Sequence, residues 1–379
     1  MKKFKITGII ATMLLAVVAL SACSSGSAGK NGGADASDTL PTLKGDDKIN
    51  RATRFYAGID KSGIGMSEEN AKAWDGYSKE IKGLLDISSK TRSQFDSLVR
   101  ADFSDFRDKV DLVFYPFSGA DFLYPTTIFP DADTYILFGL EKTGSPFSTD
   151  IKTDFAQYES YRKALSSFLR LSYFITKDMK NDMDNDNLDG TCPVLSMLMA
   201  TAGYEIISIE NMKIDDSGKL SQADGTGNVM RYKFFKAGSK HEQTLYYLSA
   251  DVGNPRFDPK VKKFIEVSLP GHTVATYLKA ASYLMHMPGF TMIRDYIVNN
   301  TQYIVEDDSG VPYKYLADKF DITLYGTYKR PLAVFTDKCI QPDLDSVYKA
   351  NVSSVKPLTF RIGYNNPSNL LVGRRKGLK

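Results

Sequence analysis

Tryptophan occurs once in these 379 residues, and histidine and cysteine three times each. Three histidines leave too little material for a His-rich metal centre. Several chemical signatures are also missing. There is no G-x-S-x-G elbow and no P-loop. His241-Glu242-Gln243-Thr244-Leu245 opens like a zinc-protease motif but lacks the second histidine. Lys142-Thr143-Gly144 lacks a correctly ordered S-x-x-K partner, because Ser353 to Lys356 comes later and runs into Pro357. No internal repeat is visible, and no cofactor is expected. A charge excess is missing too. The net charge of +3 equals the contribution of Lys2, Lys3 and Lys5, so the rest of the chain is balanced. That balance argues against a general nucleic-acid binder.

What is present begins with an N-terminal signal. A lysine-rich start precedes a short apolar run from Ile9 to Leu20, interrupted by Thr12. The run is too short for a comfortable membrane span and has the zones of a secretory leader. Leu20-Ser21-Ala22-Cys23 resembles the bacterial lipobox. The resemblance implies cleavage of residues 1–22, lipid on Cys23, and a membrane as partner through that lipid. Residues 23–48, rich in Ser, Gly, Ala and Asp, read as a flexible tether, with a globular domain over 49–379. Asp38-Thr39-Leu40 resembles an O-glycosylation sequon of Bacteroidota, as do Asp96-Ser97-Leu98 and Asp345-Ser346-Val347. Ser24-Ser25-Gly26-Ser27 carries no acid, which favours a periplasm-facing anchor.

Hydrophobic spacing predicts helices over Ser67 to Phe103, Asp150 to Lys180, Pro193 to Ala202, Pro259 to Val267, Thr273 to His286 and Phe290 to Asn299. Strands are predicted at Asp111 to Phe117, Thr134 to Leu140, Tyr204 to Ile214, Val229 to Lys236, Glu242 to Ala250, Gln302 to Glu306 and Asp321 to Tyr328. Everything after Asn351 reads as irregular, and Arg374-Arg375-Lys376 as a solvated basic end. The elements imply a mixed α/β (α+β) fold, one large domain with a mixed sheet and flanking amphipathic helices. Tyr and Phe number 22 each. They read as core and strand positions or as a stacking platform for sugar or peptide.

Three constellations carry candidate chemistry. In Tyr115 to Pro125, Asp121 reads as a ligand or base, or as part of an S-x-x-D capping pattern with Ser118 as N-cap. Glu306-Asp307-Asp308-Ser309-Gly310 reads as a polar turn, or as carboxylates able to hold a cation or share acid–base work. Convergence of Asp121 with Asp307 or Asp308 would allow paired-carboxylate hydrolysis. Asp182, Asp184 and Asp186, followed by Asp189-Gly190, resemble a calcium loop. Asn187 and Pro193 stand where an EF-hand needs Gly and Glu. Cys192 and Cys339 are a possible disulfide in an oxidising compartment. Cys192 at a helix start is also a place where a dipole stabilises a thiolate.

The strings Phe114 to Tyr124, Thr134 to Glu141, Thr244 to Asp251, Thr276 to His286, Glu306 to Tyr315 and Leu324 to Phe335 resemble an uncharacterised family of exported bacterial lipoproteins. The resemblance implies a shared fold and no established activity. The expectation is therefore an envelope lipoprotein that binds a polymer, peptide or protein partner, with a carboxylate-dependent hydrolase as the alternative.

Overall fold

The computed structural model describes residues 43–378 except 154, 172, 174–182 and 186–187. In chain order the strands are β1 (Leu112–Tyr115), β2 (Thr134–Gly139), β3 (Asp184–Asn185), β4 (Leu188–Asp189), β5 (Tyr204–Ile214), β6 (Leu220–Gln222), β7 (Val229–Lys236), β8 (Glu242–Ser249), β9 (Val274–Leu278), β10 (Tyr303–Glu306), β11 (Phe320–Gly326) and β12 (Asn369–Arg375). The helices are α1 (Asp47–Tyr56), α2 (Glu68–Asp102), α3 (Leu123–Ile128), α4 (Phe155–Leu171), α5 (Cys192–Thr201), α6 (Pro259–Ser268), α7 (Thr291–Asn300), α8 (Tyr313–Leu316) and α9 (Pro342–Ala350). Together they form a single globular α/β domain. None of the described helices is long and apolar enough to cross a membrane.

Ten strands share one sheet in the order β11-β12-β10-β9-β1-β2-β8-β7-β5-β6. The five at its centre, β10-β9-β1-β2-β8, are all parallel. From β1 the chain adds β2 and then β8 on one side. It then returns to place β9 and β10 on the other. The winding direction therefore reverses between β1 and β9. Parallel strands with helices over both faces are apolar throughout rather than alternating. In β1, Val113 and Tyr115 enter the core beneath α1, α2, α4 and α5. Leu112 and Phe114 enter the opposite core, with Phe264 and Ile265 of α6 and Ile293 and Ile297 of α7. β7 and β8, which pair antiparallel with each other, instead alternate over most of their length.

This two-faced burial explains the main error of the sequence reading. Val274, Tyr277, Leu278, Ala281, Leu284 and Met285 follow helical spacing. Yet Val274 to Leu278 is strand β9, buried at all five positions. Tyr277 faces one core and Leu278 the other. The irregular tail is a second error: β12 sits inside the sheet between β10 and β11. The basic end is correspondingly docked. Arg374 Nε and Nη2 grip Asp105 at 2.7 and 2.8 Å. Arg375 donates to the carbonyls of Thr301 and Val298, each at 2.7 Å.

Smaller differences concern ends and bridges. Asp46 caps α1 by accepting from the amides of Lys48 and Ile49, so ordered packing begins just inside the segment read as tether. The helix expected over Asp150 to Lys180 is α4, and residues 174–180 lie outside the described residues. Cys192 and Cys339 do not pair; each is a buried free thiol. Cys192 receives the Tyr232 hydroxyl at 2.9 Å, while Cys339 lies in a separate turn beside Thr336. Burial pushes the Cys192 thiol up to about 12, against the effect a helix start would have on it.

Candidate functional site

The parallel strands all end on one edge. The loops that leave β1, β2, β8 and β9 there enclose a cavity of about 300 Å³. Open α/β sheets take their ligands at such a place, where the winding reverses and adjacent loops part.

The loop after β1 lines the cavity with Phe117, Ser118, Gly119 and Asp121. Ser118 Oγ accepts the Phe138 amide at 2.9 Å, and the Gly119 amide donates to the Phe138 carbonyl at 2.9 Å. These bonds stitch the loop to the end of β2. Phe117 is held at φ 66°, a left-handed conformation that costs a bulky residue of order 1–3 kcal/mol. Asp121 is then turned back under the loop. Its Oδ1 accepts the Tyr124 amide at 3.2 Å, and its Oδ2 accepts the Tyr115 hydroxyl at 3.1 Å. Capping is thus performed by Asp121, while Ser118 ties two strands together rather than serving as N-cap.

Lys279, the first residue beyond β9, places Nζ 2.9 Å from Asp121 Oδ2, with both side chains 1% exposed. The ammonium also lies over the Tyr124 ring, 3.2 Å from its centroid. Burial pulls this lysine down to about 8, against the opposing pull of Asp121. Both residues line the cavity.

The backbone after Lys279 is strained. Ala280, Ser282 and Tyr283 have φ of 48°, 54° and 54°, conformations that side-chain-bearing residues rarely adopt. The acidic turn after β10 holds them there. Asp307 Oδ2 accepts the Ala280 amide at 3.0 Å, and Ser309 Oγ accepts the Ala281 amide at 2.7 Å. Asp308 Oδ2 accepts the Tyr283 hydroxyl at 2.7 Å, and its Oδ1 takes Asn369 Nδ2 at 2.8 Å. Asp307 Oδ1 is filled by the amide and hydroxyl of Ser309. Gly363 packs so close to Asp307 that a Cβ there would overlap the carboxylate. Asp307 and Asp308 therefore clamp the β9 loop and do not line the cavity, whereas Asp121 does.

The remaining cavity acids are Glu141, just past β2, and Asp251, just past β8. Asp251 pairs with Arg256 at 2.9 Å. Glu141 is 8% exposed, has no ion-pair partner among the described residues, and is pushed up by burial. Gly139 leaves room for it, since a Cβ there would sit 2.8 Å from Glu141 Oε2. Apolar side chains form the opposite wall, where Phe117 and Phe290 meet with ring centroids 6.0 Å apart. With Asp121–Lys279 and Asp251–Arg256 each paired, Glu141 is the lining acid without an ion-pair partner among the described residues.

The sequence reading found Asp121 but missed Glu141 and Lys279. Glu141 had a usable signal: it closes a predicted strand about twenty residues beyond Gly119, the spacing at which doubly wound sheets place an acid. Lys279 had none, because its segment read as helix. Of the calcium-loop candidates, Asp182 and Asp186 lie outside the described residues. Asp184 is described only as backbone in the β3–β4 hairpin. Among the described residues no cluster of His, Cys, Asp or Glu could hold a metal ion.

Fold and site define a doubly wound α/β domain with a polar and aromatic cavity at its switch point. Comparison with protein-family models, curated proteins and solved structures returns no match.

Proposed function

We propose that the cavity binds a small, phosphate-free organic molecule carrying a planar ring and neighbouring hydroxyls, with a nucleoside as the first candidate. The observation that carries this reading is the buried Glu141 carboxyl just past β2, which lines a cavity at the strand switch point and has no ion-pair partner among the described residues. In sheets wound in this order, an acid in that position accepts from ribose hydroxyls. The Phe117–Phe290 wall suits a flat ring. Phosphate is disfavoured for three reasons. The β1 loop has a single glycine, the α3 amide that would meet an anion is already bonded to Asp121, and the described lining residues carry no net positive charge.

A cavity of about 300 Å³ is of small-molecule size, which weighs against the polymer- and peptide-binding readings. The hydrolase reading needs two carboxylates at one space. Asp121 is paired with Lys279, and Asp307 and Asp308 are used by the β9 loop, so the pair that the sequence offered does not meet at the cavity.

The test is thermal unfolding with adenosine, AMP and NAD. Adenosine raises the melting temperature and the phosphate-bearing ligands do less. Glu141→Gln weakens adenosine affinity by about 10- to 100-fold and shrinks the shift accordingly, since one hydrogen bond to a charged acceptor contributes about 1.5–3 kcal/mol. A shift by NAD alone would reverse the ligand class. For cellular address we propose export and lipid anchoring at Cys23, facing the periplasm. Labelled palmitate should enter the wild-type chain and not Cys23→Ala; equal labelling of both would remove the anchor.

A further inference from the structure

The geometry points to Lys279 as a covalent capture point for a small aldehyde or ketone, held in the cavity as a reversible imine. This rests on the cavity being a ligand site, and not on the ligand being a nucleoside. Lys279 lines that cavity, with its side chain 1% exposed and its amine 2.9 Å from the Asp121 carboxylate. An amine adds to a carbonyl only when unprotonated, and a neighbouring base must take and return the proton. Asp121 stands where that base is needed, and the Tyr115 hydroxyl at 3.1 Å fixes its orientation. A desolvated lysine near another cation is the usual way a protein obtains a nucleophilic amine. Among the described groups, Asp121 from the β1 loop, Asp307 from the β10 turn and Arg92 from α2 act on Lys279, with burial the largest influence. The balance of these draws the amine down to about 8.

The step balances without a further reactant. Lys279 Nζ gives a proton to Asp121 and adds to the carbonyl carbon. The carbonyl oxygen takes up protons and leaves as water while the C=N bond forms. One aldehyde and one protonated amine thus give one protonated imine and one water. The strained Ala280–Tyr283 turn, clamped by Asp307 and Asp308, fixes the residue that carries the amine.

The experiment treats the folded full chain with pyridoxal, a ring-bearing, hydroxylated, phosphate-free aldehyde, and traps the imine with cyanoborohydride. Peptide mapping then compares Lys279 with the exposed Lys329 and Lys338. Expected is labelling of Lys279 at least tenfold faster than either, levelling off as pH passes about 8 while the exposed lysines continue to rise. The preference disappears when the chain is unfolded in urea. Labelling of Lys279 no faster than Lys338 in the folded chain overturns the proposal. If that occurs while adenosine still raises the melting temperature, the cavity remains a ligand site and only the covalent step fails. If neither is seen, both fall.

Discussion

Two buried acidic sites lie on the same edge of the sheet and have opposite roles. Asp121 is 1% exposed; Asp307 and Asp308 are 2% and 4% exposed. Burial alone would class them together. Their partners separate them. Asp121 pairs directly with an ionisable cation beside a cavity. Asp307 and Asp308 face backbone amides, hydroxyls and a carboxamide that cannot leave. A buried carboxylate whose oxygens are filled by fixed neutral donors is a brace. One whose partner can itself lose a proton beside open space is chemically available.

The largest effect should come from breaking the cavity pair. Lys279→Met leaves the Asp121 charge buried with only neutral donors, and loss of one partner of a buried pair costs about 3–5 kcal/mol. Adding Asp121→Leu should recover most of that, because two apolar groups need no compensation. Urea unfolding of the single and double variants measures this. A double variant as unstable as the single one would show that the pair is not an isolated unit.

Next in size is the clamp. Asp308→Ala removes the acceptor of the Tyr283 hydroxyl and of Asn369 Nδ2, at about 2–3 kcal/mol for stranded buried donors. The variant should also release the β9 loop. Amide exchange at Ala280 to Tyr283 should accelerate well beyond the change in global stability. Uniform acceleration across the domain would remove the special tie to this loop.

The difference between the two sites also marks how much the sequence could reveal. The antiparallel strands β5 and β7 were legible to the residue, since one-sided burial prints an alternation on the chain. Strand β9 was not, because burial on two faces removes alternation and leaves apolar residues at spacings that mimic a helix. With β9 misread, Lys279 had no place at a strand end, and Asp121 was left without its partner. Asp307 and Asp308, in a run of three adjacent carboxylates, then stand out in the sequence as the second carboxylate. Strand β12 was hidden for another reason. The run Leu370-Leu371-Val372 is short, follows an irregular stretch, and runs into arginines whose partners Asp105, Thr301 and Val298 are distant in sequence. Those contacts exist only once the sheet has assembled.

Glu306, beside the clamp, offers a pH test of it. Burial pushes this carboxyl well up, and the nearby Asp307 and Asp308 push the same way. The folded chain therefore keeps a proton that the unfolded chain releases above the ordinary carboxyl range. Stability should fall as pH rises through that window, by about 1.4 kcal/mol per pH unit for one proton. Glu306→Gln keeps the acceptor for the Val311 amide, which now bonds Oε2 at 2.9 Å, and cannot ionise. Its stability curve should be flatter than the wild type's over the same window. Parallel curves would mean that Glu306 does not hold the extra proton.

The smallest effect sharpens the contrast between buried and surface charge. Arg374 grips Asp105 with two bonds, but the pair is partly open, with side chains 26% and 54% exposed. A bidentate pair in that setting contributes about 0.2–1 kcal/mol. Arg374→Ala should therefore lower stability by no more than about 1 kcal/mol, with the loss shrinking at high salt as the charges are screened. Asp105 is held below its ordinary range chiefly by this arginine. The contribution should accordingly be present at neutral pH and fade as pH falls through the lowered value. No loss at any salt concentration would return the basic end to a solvated tail. A salt-independent loss would assign its role to the Phe106 ring beneath the guanidinium, 4.8 Å away, and not to charge.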